Sequence, residues 1–467
     1  MAERAVSRPM GGPPGGAKPS FRAAFDVFDS RNYRYLWTSS LFSFTGMQMQ
    51  QVARALLAWE LTKSFSAVGA VSLSFGLPML VFSLVGGSLA DRFEKRNLSL
   101  VTQAATAAFA LINALMVMTG SITINWLFVL GLGGGTAAAL GMPARTPLMA
   151  EVVGRDRVMS AIAMSNAAMN GTRLFGPALA GAIVGVWNLE SVYFLQAILY
   201  VFSCLTLMRV PSGLSELVNG GRPKPAGGMF HEIGLGLRYV AHEPRLRMLI
   251  LMMFVISFFG MPYAMLLAGF VKTELGGGDT AFGVLQSVSG VGALVGSLGI
   301  ATITAYERKG MIQWASGIVG GFALVGLAVA SALFGYEGAL GATVVLGLSM
   351  TAYQTLNSTM IMDTAEPEYY GRVMSINMLT FSAMPLMAYP MGQIADAVGV
   401  RLTFVAEGLI IVGFMVLAAV WNPAYVFGRA PRRPIEAVPV AGIESVASIE
   451  SVASEGDVEL AVPAGGG

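Results

Sequence analysis

Charge is scarce in this 467-residue chain. Asp, Glu, Lys and Arg together make up 12% of it, against roughly 25% in soluble domains, which excludes an ordinary water-soluble globular surface. Histidine occurs twice, as His231 and His242, both in one polar stretch. Cysteine occurs once, as Cys204 inside an apolar run. A single cysteine excludes an internal disulfide, and the sequence offers no Cys/His cluster to hold a metal. Neither metal nor cofactor is expected. Catalytic patterns are equally thin: GLGGGT (131–136) and GVGALVG (290–296) have the glycines of nucleotide loops, but both lie in apolar runs with no Lys-Ser/Thr following. Close helix packing explains them better. There is no basic, aromatic-bearing domain for nucleic acid, and an enzyme is not expected.

What the chain has is apolar length: 55% of its residues are hydrophobic. A bilayer core demands about 17–25 consecutive apolar residues of a helix, and twelve stretches qualify: 36–59, 67–90, 98–118, 124–147, 158–186, 191–208, 248–272, 281–304, 311–334, 338–361, 373–398 and 402–421. The expected fold class is therefore an all-α membrane protein with twelve transmembrane helices. Most of the 29 Lys and Arg fall in the tails and even-numbered connections. Lys63, Lys272 and Arg401 lie near the other face, while Arg54, Arg145 and Arg173 sit within spans. By the positive-inside rule both termini are cytoplasmic, in a multi-pass protein of the cell membrane.

Polar stretches divide the chain. Residues 1–30 lack an apolar core and read as a disordered cytoplasmic tail rather than a signal peptide; 422–467, with IESVAS twice in succession (443–454), reads as a second. The longest internal polar stretch, 209–247, separates bundles at 31–208 and 248–421. Its second part spaces Phe230, Ile233, Leu237 and Val240 as a short surface helix would. The halves echo each other. RVMS opens the fifth span (157–160) and the eleventh (372–375), with Gly176-Pro177 and Tyr389-Pro390 further along each, and GSL recurs at 87–89 and 296–298. Two pseudo-symmetric six-helix bundles in parallel orientation point to alternating access by rocking of one half against the other.

The knot Gly87-Ser-Leu-Ala-Asp91-Arg92-Phe-Glu94-Lys95-Arg96 resembles the connection between helices two and three of the major facilitator superfamily, G-x-L-x-D-R-x-G-R-R/K, with Glu94 where that family has glycine. The resemblance implies a gating latch of Gly87, Asp91, Arg92, Lys95 and Arg96 against the start of helix eleven at Arg372. A carboxylate facing a helix N-terminus is electrostatically suited to that role. The plainer reading is that the cations only set topology. Pro143-Ala-Arg145, Glu151 and the run Ser165 to Gly181 are similar to the fourth-to-fifth helix region of bacterial exporters related to enterobactin and macrolide efflux proteins. Met49-Gln50-x-Val52-Ala53 fits the first helix of that group. In helix five, Gly176, Pro177 and Gly181 are expected to serve close packing.

Polar side chains inside spans are costly and mark a pathway or a cross-helix bond. Asn166, Asn170 and Arg173 follow i, i+4, i+7 on one face; Gln48, Gln51 and Arg54 lie in the first span; Tyr353 and Asn357 share a face of the tenth, and Asn377 is in the eleventh. All nine are candidates to line a substrate cavity, and bracing between helices is the competing reading at each. Arg145, near the end of its span, can also snorkel. The three arginines favour an anionic or polar-rich substrate. Of the carboxylates, Glu60, Glu151, Asp363 and Asp396 lie near span ends. Glu407 is deeper, in the twelfth span, which is peripheral in the fold the resemblance implies. No residue stands out as a proton carrier, so H+ as coupling ion rests on the resemblance alone. The expected protein is a monomeric secondary exporter of an amphipathic small molecule such as a siderophore, macrolide or drug-like metabolite. A lysolipid translocator and a non-transporting receptor or scaffold are the alternatives.

Overall fold

The computed structural model describes residues 25–154, 157–213, 229–303, 308–366, 369–382, 384–423 and 426. Within these stretches a few side chains, including those of Gly87 and Asp91, lie outside the description. So do both expected tails for nearly all their length, the IESVAS repeat and the first part of the 209–247 connection.

Every regular element among the described residues is helical. After a short 3-10 turn at Asp26–Asp29 come α1 (Arg31–Thr62), α2 (Phe65–Arg92), α3 (Lys95–Met118), α4 (Ile124–Val153), α5 (Val158–Val186), α6 (Leu189–Leu207) and α7 (Met229–His242). The chain continues with α8 (Pro244–Phe259), α9 (Tyr263–Glu274), α10 (Asp279–Ile303), α11 (Lys309–Thr364), α12 (Tyr370–Ser382), α13 (Met384–Val398) and α14 (Val400–Trp421). Among the described residues, eight helical stretches are long and apolar enough to cross a membrane, α8 with α9 counting as one and α11 as another. The long helices α1 and α5 are not among them, diluted by the Gln, Asn, Ser and Arg residues that form the candidate site.

One junction differs from an unbroken reading of the apolar runs. Residues 248–272 form two helices, because Gly260-Met261-Pro262 interrupts the run between α8 and α9; proline supplies no amide donor to continue a helix. Residues 373–398 are described as α12 and α13, on either side of residue 383, which lies outside the description. The 56-residue α11 holds the expected spans 311–334 and 338–361 as two arms, parted where Gly335 leaves helical geometry (φ 59°, ψ −136°). At the α1–α2 turn, Lys63 ends α1 in the left-handed region (φ 52°) and Ser64 caps α2, its Oγ accepting from the Ala67 amide at 3.4 Å. The other first amides of α2 are left open to an outside acceptor.

The helices before the long connection pack together, α1 on α5 and α6, α3 on α4 and α6, α2 on α4. Those after it do the same, α10 and α14 on α11, α14 on α8 and α13. Two extensive seams join the halves: α2 with α13, and α5 with α10. Both depend on missing side chains. A Cβ on Gly283 would stand 2.6 Å from the Pro177 carbonyl oxygen, and one on Gly181 2.8 Å from the Gly283 Cα; a Cβ on Gly392 would lie 2.5 Å from the Phe65 carbonyl oxygen. Small residues let backbones approach this closely where lipid provides no hydrophobic drive.

The connecting helix α7 docks on α12. Tyr239 stacks on Tyr369 at 4.1 Å between ring centroids, and its hydroxyl accepts from the Glu366 amide at 3.1 Å. Val240 is buried, whereas Leu237, expected on the same face, is exposed, so this face packs on protein only in part; the side chains of Phe230 and Ile233 lie outside the description.

Candidate functional site

The α5–α10 seam closes at one end only. Leu174, Pro177, Gly181 and Gly185 all meet α10 within contact distance. The same stripe of α5 continues toward its N-terminus through Asn170, Ala167, Asn166 and Ala163, and there the side chains are partly or fully exposed. A cleft therefore separates the halves on the face where α1 and α5 begin, here the terminal face, and is sealed toward the opposite face. Arg173 stands at its inner end. It is exposed, yet it lies deep in the fold within electrostatic reach of Tyr263 on α9, so its surface belongs to the cleft and not to the lipid side. Gln48 and Gln51 of α1 are partly exposed, and Gln48 packs at Gly176, whose Cβ would come within 2.6 Å.

Arg54 lies in a wedge with α2 and α6. Its guanidinium covers the Phe75 ring at 4.3 Å, Tyr193 and Tyr200 are within electrostatic reach, and Nη1 is buried without a hydrogen-bond partner. The Tyr193 hydroxyl and both amide atoms of Gln196 are also buried and partnerless among the described residues. Buried polar atoms rarely stay unmatched, so this wedge can receive a polar group. Arg145 does not snorkel: Nη2 donates to Ser43 Oγ at 2.7 Å and the guanidinium sits over Phe44 at 4.6 Å.

Tyr353, Asn357 and Asn377 behave differently. They are 0%, 0% and 2% exposed. Gln313 Nε2 donates to Asn357 Oδ1 at 2.8 Å, and Asn357 Nδ2 donates to Asn377 Oδ1 at 3.2 Å. This amide chain ties the two arms of α11 to α12. In this conformation the three residues brace the interior and do not line the cleft.

In the charged knot, Lys95 and Arg96 turn into their own half. Lys95 Nζ pairs with Glu151 Oε1 at 2.6 Å, both side chains nearly buried. Arg96 Nη2 donates to the Met208 carbonyl at 2.7 Å, Arg92 is exposed, and Arg372 lies over the Tyr369 ring at 5.1 Å. Glu94, at the position of the expected glycine, precedes α3 and accepts from the Gly213 amide at 2.7 Å and from Asn97 Nδ2 at 2.6 Å. It ties the start of α3 to the chain leaving α6.

A carboxylate on a helix N-terminus of the other half does occur, but at the opposite face. Asp396, near the end of α13, accepts from Ser64 Oγ at 2.7 Å, from the Phe65 amide at 2.7 Å and from the Ser66 amide at 2.9 Å. These are the open amides of α2. Trp59 and Phe65 pack at 4.7 Å between centroids, and Gly269 of α9 lies directly against both rings. The seal at this face thus joins α1, α2, α9 and α13.

The sequence pattern of the transmembrane secretion effector family matches residues 22–432. The chain belongs to that family of major facilitator transporters. The chain is 23% identical over 382 residues to the staphyloferrin A transporter of Staphylococcus aureus, covering 80% of this chain and 92% of that protein. It is 23% identical over 400 residues to macrolide efflux protein A of Streptococcus pyogenes, covering 83% and 95%. Its fold matches the crystal structure of a bacterial homologue of the human lysosomal transporter Spinster, with a TM-score of 0.67 at 13% identity over 90% of this chain and all of that one. It is a multi-pass protein of the cell membrane.

The Lys95–Glu151 pair gives a direct test of the knot's structural share. Glu151→Gln leaves a nearly buried ammonium beside a neutral amide, and breaking such a pair costs about 3–5 kcal/mol. Its apparent Tm in detergent is expected to fall, and the exchanged double variant Lys95→Glu/Glu151→Lys to recover most of the loss. A double variant no better than the single one would show that the two charges do not act as a pair.

Proposed function

We propose that this protein is a secondary exporter that moves an anionic or polar-rich amphipathic small molecule out of the cell by alternating access. The carrying observation is the asymmetry of the seam: one stripe of α5 is closed against α10 from Leu174 onward and open from Asn170 back. Twelve spans in two six-helix bundles, 31–208 and 248–421, suit that motion, with both termini cytoplasmic and the cleft facing the cytoplasm. Asn166, Asn170, Arg173, Gln48 and Gln51 receive the substrate, and the Arg54 wedge takes a polar group further in. Asp396 with Ser64 forms the outer latch, and Asp91 opposite Arg372 forms the inner one when the cleft closes. The printed functions of the relatives, siderophore transport and macrolide efflux, support export of this kind of molecule. The proton gradient supplies the drive.

The test is efflux from cells lacking their own exporters, with a catecholate siderophore, a macrolide, a cationic dye and a lysolipid as probes. Protonophore-sensitive efflux of the siderophore with no efflux of the dye is expected. Extrusion of the dye alone would overturn the anionic reading. Movement of the lysolipid alone would assign the cleft to lipid, and no movement of any probe by well-expressed protein would remove the exporter reading.

A further inference from the structure

Away from the cleft, the interior holds one carboxylate that no described contact explains. Glu407 of α14 is 0% exposed, and neither of its oxygens has a hydrogen-bond partner among the described residues. It belongs to the buried stripe Val400, Phe404, Glu407, Ile411 and Met415, so it faces the packed interior and not lipid. A bare carboxylate in such surroundings costs several kcal/mol.

Its level in the fold is fixed by its neighbours. One turn earlier, Phe404 packs edge-on against Tyr263, 6.5 Å between centroids. One turn later, Ile411 touches Gly260, where a Cβ would come within 3.1 Å of its Cδ1. Glu407 thus stands beside the break between α8 and α9. Tyr263, the first residue of α9, is hydrogen-bonded to Ser289 of α10 and lies within electrostatic reach of both Glu407 and Arg173. Arg173 is the residue at the inner end of the cleft. One tyrosine is therefore within electrostatic reach of both the buried carboxyl and the arginine of the cleft.

Other charged groups on the helices packed against α14 are engaged or distant. On α9, Lys272 pairs with Asp279 at 2.6 Å and Glu274 with Arg401 at 3.1 Å. On α11, Lys309 pairs with Asp363 at 2.7 Å, Tyr336 and Glu337 flank the break at Gly335, and Tyr353 is buried. On α13, Asp396 caps α2. On α8, Arg245 and Arg247 lie in the first turn, at the far end from Gly260. Tyr389 of α13 accepts from Gln393 Nε2 at 3.2 Å. Tyr263 is the group in electrostatic reach of Glu407, as it is of Arg173.

We propose that Glu407 is the residue that carries the coupling proton. In the conformation open to the terminal face it holds the proton away from water. Movement at the α8–α9 break admits water or the Arg173 guanidinium, the carboxyl O–H bond breaks, and the proton leaves to water while the carboxylate charge is balanced by Arg173. A group that imports a proton in exchange for an exported molecule must be loaded when the cleft faces inward, as here. The proposal rests on the export reading for its link to transport.

The full chain, purified and placed in liposomes, tests it with Glu407→Gln and Glu407→Asp, using enterobactin as the probe. Glutamine has the shape of the neutral carboxyl, so Glu407→Gln is expected to exchange enterobactin across the bilayer as wild type does. Its accumulation driven by a pH gradient should fall to the level of empty liposomes, with partial recovery in Glu407→Asp. Gradient-driven accumulation that survives in Glu407→Gln overturns the proposal. Infrared difference spectra need no substrate: wild type should show a protonated-carboxyl C=O band that disappears as pH is raised and is absent from Glu407→Gln. If wild type moves no enterobactin, the export reading fails for that class and the spectra decide alone. A missing band, or one that never titrates, removes Glu407 as a carrier.

Discussion

Asp396→Asn is expected to raise the rate at which a cysteine at Ser72 is labelled from the opposite face by about ten- to a hundredfold. The experiment is done in a Cys204→Ala background, which removes the single native thiol, with a maleimide that cannot cross the membrane. Ser72 is buried in α2, its hydroxyl 3.3 Å from Met265 Sδ of α9, so it reports separation of the halves. Asp396 presents two anionic oxygens to three donors, and hydrogen bonds to a charged group are each worth about 1.5–3 kcal/mol. Asparagine keeps one acceptor and turns an NH₂ toward amide donors, leaving at least one of them unmatched. A loss of about 1.4–2.7 kcal/mol from the closed state is a ten- to hundredfold change in its population relative to the open one. Ser64→Ala removes one of the three donors and should give a smaller rise. Unchanged labelling in Asp396→Asn would show that glycine packing alone holds this face shut.

The helical, membrane-spanning character of the chain was legible because apolar run length is a property of composition. Helix breaks were less so: Gly260-Met261-Pro262 is a visible signal, yet an apolar run around it reads as continuous when only its length is measured. The latch chemistry was legible, but a second latch was not. A carboxylate capping a helix of the other half was expected at the charged knot, where the Asp91 side chain lies outside the description; the contact seen at the opposite face is made by Asp396, which as an acidic residue at a span end looks like a solvated group. Its signal was the serine pair Ser64 and Ser66 at the start of a helix, but nothing in sequence spacing joins residues 64 and 396. The same limit applies to Asn357 and Asn377. Periodicity says which residues share a face, and it cannot say whether that face meets a cleft or an amide on another helix. Glu407 was visible as the deepest carboxylate and was discounted by its place in the last helix, where packing of α8, α9 and α11 around α14 makes the position interior.

Arg173→Ala is expected to abolish efflux of an anionic probe while leaving the fold intact, and Arg173→Lys to restore only part of it. The side chain is exposed to the cleft and makes no described hydrogen bond or ion pair, so its removal leaves no buried partner stranded. Expression and apparent Tm should therefore stay near wild type, in contrast to Glu151→Gln. The loss should fall on binding. A guanidinium can hold a carboxylate or catecholate oxygen pair in two parallel hydrogen bonds, and lysine offers charge without that fork. Charge-assisted hydrogen bonds of about 1.5–3 kcal/mol each correspond to a rise of roughly tenfold to more than a hundredfold in the apparent KM for each bond lost. Measured with a catecholate siderophore and a macrolide side by side, the siderophore should lose far more than the macrolide. Equal loss on both would assign Arg173 chiefly to a step that every substrate shares, its balancing of the Glu407 charge or the motion of α5 against α9.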